Sequence, residues 1–134
     1  MKKLYKIQNH LQEEINVVIV ALLANSDFFH MRDQIQGYIA DVASGTSWDN
    51  PYRFTVPYWA YNPSFKKNRE SNGGYFIYYV AHELSHILGH IKYGVVCNHD
   101  KKFYEMFTQI CPEEYQHYEL EYIKTSSRHG VKKL

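Results

Sequence analysis

Residues 75–93 read YFIYYVAHELSHILGHIKY, and Gly94 follows. The stretch holds no proline, and its apolar side chains fall almost all round a helical wheel. A surface helix keeps a polar face, so this pattern predicts a helix covered on nearly every side. Glycine is the usual residue just past a helix end, because it adopts the left-handed conformation without a steric penalty. The remainder of the chain must then supply the cover, and its reading decides the architecture.

Upstream, Leu4, Ile7, Leu11, Ile15, Val18 and Leu22 recur at helical spacing and predict a helix over residues 4–24. Asn25, Ser26 and Asp27 offer a stop and a new N-cap, and Phe28, Met31, Ile35, Tyr38 and Val42 predict a second helix over 27–43. Residues 45–51 read as a loop. In residues 53–58, RFTVPY, the period falls to two, and Pro57 places this strand at a sheet edge, where a missing N–H does least harm. Residues 60–74 are polar and contain Pro63, Gly73 and Gly74, the composition of a flap or a partly disordered connection. Downstream, Asp100 can cap a helix over 101–110 that Pro112 ends, and 113 to about 124 reads as a last helix with acids in its first turn. The expected class is α+β: a mainly helical domain with a small sheet packed on the central buried helix.

Composition bounds the function. A chain of 134 residues with 45% hydrophobic and 22% charged residues suits one globular domain, and a net charge of +1 argues against a dedicated nucleic-acid or membrane binder. The charge is uneven. Lys124, Arg128, Lys132 and Lys133 stand in a segment without acids, so the expected layout is a domain over 1–123 and a basic tail over 124–134 able to make weak nucleic-acid contact. Two cysteines, Cys97 and Cys111, cannot build a disulfide framework and suit a reducing compartment. The apolar run from Ile15 to Ala24 is too short to span a bilayer, and Glu13 and Glu14 abut it where a secretory signal is uncharged. The expectation is a cytoplasmic protein with no membrane segment.

The central helix carries His82-Glu83-Leu84-Ser85-His86. Histidines at i and i+4 project from one helix face, where both imidazoles can bind one zinc ion, and Glu83 between them can serve as general base toward a metal-bound water. In a buried helix these polar side chains also need partners. Catalytic zinc takes three protein ligands and keeps a position open. A ligand six residues after His86 would mark a metzincin, but that position is Lys92. The third ligand is then sought among Cys97, His99, Asp100 and Glu105. Glu105 lies near gluzincin spacing, yet the wheel of 101–110 groups His99 with the apolar face of Phe103, Met106, Phe107 and Ile110 and turns Glu105 outward beside Lys101.

His82-Glu83-Leu84-Ser85-His86 followed by His99-Asp100-Lys101-Lys102-Phe103 resembles the SprT-like zinc metallopeptidases, whose pattern is H-E-L-x-H and then a third His opening an H-G-x-x-F/W-type helix. The likeness covers mainly residues 75–110, with Asp100 in place of the usual Gly and no C-x-x-C zinc ribbon after it. It implies a zincin-like domain, a Zn2+ cofactor held by His82, His86 and His99, Glu83 as catalytic base, and a protein or peptide substrate. A substrate strand is then expected to add to the edge at Phe54–Tyr58. Tyr93 and the tyrosines of 75–79 are candidates for the oxyanion-stabilising group. Two alternatives stand beside this reading: a zinc-containing binding or regulatory module without useful turnover, and a gluzincin-type peptidase using Glu105.

Overall fold

The computed structural model describes residues 6–41, 45–47, 51–96 and 98–125. Its first regular element is a 3-10 turn, Asn9–Leu11, that runs into helix α1, Gln12–Leu23. Leu11, Ile15 and Leu22 of the expected stripe are buried, but Ile19 and Leu23 join them while Val18 is half-buried and Ile7 is exposed. Residues 4 and 5 of the expected helix lie outside the described residues, and residues 6–8 take an extended path instead of a helical one. Ile7 forms an antiparallel bridge with Ala40, and the Gln8 amide donates to the Ile39 carbonyl at 2.8 Å.

The expected helix over 27–43 is not formed. Phe29–Gln34 makes a 3-10 turn, and Ile35–Ala40 is strand β1. Ile35, Tyr38 and Val42 satisfy a helical period, but Ile35, Gly37 and Ile39 also alternate with Gln36 and Tyr38, and burial follows that alternation. Gly37 settles the competition. A Cβ there would lie 2.8 Å from Ile19 Cδ1, 2.8 Å from Phe54 Cζ and 3.0 Å from Ile15 Cδ1, so α1 and the sheet approach through this glycine. Val42 lies outside the described residues.

Strand β2, Gly45–Ser47, and strand β3, Tyr52–Pro57, complete a sheet of order β1-β3-β2. β3 pairs parallel with β1, from Ile35 opposite Tyr52 to Ala40 opposite Pro57, and antiparallel with β2, from Gly45 opposite Thr55 to Ser47 opposite Arg53. The strand read as an edge is therefore the central one. Pro57 is tolerated because it is the last residue of β3, where it also opens the short helix α2, Tyr58–Tyr61, as the residue before its first turn.

Residues 60–74, read as a flap, are folded instead. Helix α3, Lys66–Ser71, follows α2, and Asn68 fastens the segment while only 2% exposed. Its Nδ2 donates to the carbonyls of Ala60 at 2.8 Å and Asn62 at 3.0 Å, and its Oδ1 accepts from the Phe76 amide at 2.9 Å. Asn72 and Gly73, at φ of 53° and 89°, then turn the chain into α4, Gly74–Tyr93.

α4 is the expected central helix. Val80, Ala81, Leu84, Ile87 and Leu88 are fully covered, and the helix ends at Gly94 with φ of 72°. Helix α5, Lys101–Ile110, starts at the expected cap: the Asp100 carboxylate accepts from the amides of Lys102 at 3.1 Å and Phe103 at 3.2 Å. A 3-10 turn, Glu113–Tyr115, leads into α6, His117–Thr125. The sheet and α1 cover one side of α4, and α5 and α6 cover the other. The class is mixed α+β, and one buried cluster runs from Leu11 to Ile123. Among the described residues no helix is long and apolar enough to cross a membrane. The tail begins inside α6 with Lys124, and 126–134 lie outside the described residues.

Gly37→Ala is expected to destabilise the domain by about 1–3 kcal/mol, because Ile15, Ile19 and the rigid Phe54 ring must all give way. Urea unfolding checks it, and a midpoint equal to that of the parent protein would contradict the close approach of α1 to β1.

Candidate metal centre

His82 and His86 leave one face of α4 a turn apart, and His99 arrives from the connection between α4 and α5. His99 has a φ of 50°. A non-glycine residue in that region is uncommon and clusters at functional positions, histidine being among the side chains enriched there. The turn carries the chain back along α4 and delivers the ring to the helix face. His99 Nε2 lies 2.9 Å from His82 Nε2 and 3.2 Å from His86 Nε2.

These three nitrogens could hold a metal ion. Zinc–imidazole bonds of about 2.0–2.1 Å in a tetrahedron put neighbouring nitrogens about 3.3 Å apart, close to the separations observed. Without a cation, a central nitrogen carrying at most one proton would face two ring nitrogens at contact distance. Phe103 forms the floor, its ring centroid 4.6 Å from that of His86 and 5.0 Å from those of His82 and His99.

The sequence reading missed Glu119, which organises this face from behind. It is 3% exposed, and its Oε1 accepts from the Tyr78 hydroxyl at 2.8 Å and lies 2.7 Å from His82 Nδ1. Its Oε2 accepts from the Tyr104 hydroxyl at 3.1 Å. With Nδ1 donating to Glu119, His82 turns an Nε2 lone pair to the cluster, the carboxylate–histidine arrangement that fixes a metal-binding tautomer. The signal was present: Tyr118, Tyr122 and Ile123 make an apolar stripe on α6, and Glu119 falls inside it.

Burial shapes the electrostatics. Desolvation pushes His99 down to about 4, helped by charge on His82, so its ring is neutral at neutral pH with a lone pair to offer. Burial also works to lower His82, but the Glu119 hydrogen bond and the Glu119 and Glu83 charges outweigh it and the net direction is upward. Glu83 moves up, first by burial, against the opposing pull of His82, and with a smaller push from Glu119. A raised carboxylate is a better proton acceptor than an exposed one.

His82, Glu83, His86 and His99 line a cleft of about 360 Å³ together with Trp59, Tyr75, Tyr78, Tyr79 and Tyr122. The other candidates fall elsewhere. Asp100 is occupied as the α5 cap. Glu105 points away from the cluster, as its place on the wheel predicts, and bonds Lys92 and Tyr93 across the α4–α5 hairpin. That contact also takes the exposed Tyr93 hydroxyl to Glu105, away from any oxyanion. Tyr78 lies at the cleft, but its hydroxyl serves Glu119. Cys97 lies outside the described residues, and Cys111 is buried with its thiol toward the Pro112 carbonyl at 3.6 Å. Compared with family models, curated proteins and solved structures, the chain matches none.

Two results are expected from metal titration. Glu119→Ala should weaken metal affinity about 10–100-fold by releasing His82 from its fixed tautomer. His99→Ala should weaken it further still, whereas Glu105→Ala should leave the dissociation constant within about twofold of wild type, because an exposed ion pair contributes little. Loss of metal in the Glu105 variant with retention in the His99 variant would reverse the assignment.

Proposed function

We propose that this chain is a zinc-dependent metallopeptidase of the SprT-like, zincin-like kind. One observation carries the reading: the Nε2 atoms of His82, His86 and His99 converge in a cleft that a buried glutamate, Glu83, also lines. Three imidazole ligands lining a cleft, with no cysteine among them, suit catalytic zinc better than a closed structural site. The bound ion would act as a Lewis acid and lower the pKa of water near it.

The chain's own groups divide the work. Glu119 holds His82 in one tautomer, and His99 stays neutral through burial. Glu83, with its pKa raised, accepts a proton from the attacking water and returns it to the leaving amine nitrogen, so the peptide C–N bond is replaced by a carboxylate and a free amine. Tyr75, Tyr78, Tyr79 and Tyr122 line the cleft beside Glu83 and limit the access of bulk water to it.

The substrate strand needs a different edge from the one expected. β3 is flanked on both sides, and β1 is bridged by Ile7 on its outer side. Among the described residues β2 pairs only with β3, so an extended peptide adds to β2, whose Gly45 lies opposite Thr55 just before the turn into α2.

Glu83→Gln tests the proton transfer. The variant should keep the metal-to-protein ratio of wild type and lose unfolded-protein hydrolysis by on the order of 10²-fold or more. Equal cleavage by the variant would rule out Glu83 as the base. A zinc-loaded wild type that cleaves no unfolded protein would leave the binding or regulatory module as the function.

A further inference from the structure

Trp59 stands on α2, immediately beyond the sheet, with 49% of its surface exposed. Three rings nevertheless hold it: Phe65 at 5.6 Å, Tyr79 at 5.7 Å and Tyr75 at 6.3 Å between centroids. Tyr75 is in turn packed on Tyr78 at 5.5 Å and Tyr118 at 5.1 Å. An indole fixed from behind and open in front is a preorganised apolar surface, and a ligand meeting it loses little entropy in ordering the protein.

This surface is continuous with the metal centre. Trp59, Tyr75 and Tyr79 line the same cleft as Glu83 and the three histidines. A molecule that reaches Glu83 occupies that cleft, so the occupant of the aromatic wall is the substrate itself. Apart from Glu83 and the histidines, none of the described side chains lining the cleft is charged. The nearby Lys67 is not among the lining residues and is already engaged, with Nζ 3.7 Å from Glu121 and 5.2 Å from the Tyr75 ring centre. An acidic side chain placed here would meet the Glu83 carboxylate and no lysine or arginine in the lining, and a basic one would trade most of its hydration for ring contacts, whereas a large apolar one gains buried area and ring contacts. A volume of about 360 Å³ admits a side chain and its flanking backbone, and not a folded surface.

We propose that Trp59, backed by Tyr75 and Tyr79, forms a specificity subsite that takes a large apolar side chain, aromatic or leucine-like, next to the scissile bond of an unfolded peptide. The inference rests on the peptidase reading for the word scissile, and on the cleft alone for the preference.

The test separates the two. Zinc-loaded Glu83→Gln protein is titrated calorimetrically with acetylated, amidated Gly-Ser peptides that carry one variable residue: Phe, Leu, Ala, Asp or Lys. Because the register is free, each peptide can settle its single large side chain on the wall. The Phe and Leu peptides should bind about tenfold or more tighter than the others. Adding Trp59→Ala should shrink the Phe-to-Ala preference to within about threefold, and Trp59→Phe should restore most of it. Equal binding of all five peptides, binding of none, a preference for Asp or Lys, or an equal loss for every peptide in Trp59→Ala overturns the subsite. Oligothymidylate that competes with the Phe peptide and depends on Trp59 would assign the wall to nucleobases instead. Wild-type hydrolysis of the same peptides is followed in parallel. Preference without hydrolysis keeps the subsite and removes the peptidase reading, and hydrolysis without preference does the opposite.

Discussion

The central helix is covered by the sheet and α1 on one side and by α5 and α6 on the other, yet it carries two histidines and a glutamate at its middle. Burying such groups without partners is costly, and the packing around them answers that constraint. The contact between His82 Nδ1 and Glu119, 2.7 Å long, joins α6 to α4, and the Tyr104 hydroxyl brings α5 to the same carboxylate. Three helices thus meet at one satisfied acid. The order of the core and the order of the candidate metal centre are consequences of the same hydrogen bonds.

Two buried carboxylates on this face have different work. Glu119 is saturated by donors from Tyr78, His82 and Tyr104 and is closed to solvent. Glu83, also buried, lines the cleft, and desolvation there favours taking up a proton. One acid is tied to three donors while the other faces the cleft. The difference arises from their surroundings, since the side chains themselves are identical.

The parts that were legible in the sequence are those with local causes. The all-round apolar pattern and Gly94 delimit α4, Asp100 caps α5 through its own neighbours' amides, and the wheel of α5 separates His99 from Glu105. The parts that were not legible depend on distant partners. Ile35, Tyr38 and Val42 fit a helix until Ile19 and Phe54 close on Gly37, and residues 60–74 look unstructured until Asn68 joins Ala60, Asn62 and Phe76. Pro57 reads as an edge marker only while its place at the end of β3 is unknown. Glu119 lay in plain sight on an apolar stripe, but its partner is 37 residues away.

The ligand set is unequal in how its members are held. His82 and His86 belong to a helix whose backbone is closed by its own hydrogen bonds, while His99 sits 13 residues beyond His86 on a connection in which Gly94, Val95, Val96 and Asn98 are exposed. An ion shared among them would therefore be a clasp across a short loop. Its binding free energy and the ordering of that loop are thermodynamically linked, so part of the affinity offsets closure entropy. The Lys92–Glu105 and Tyr93–Glu105 contacts close the same hairpin from the solvent side.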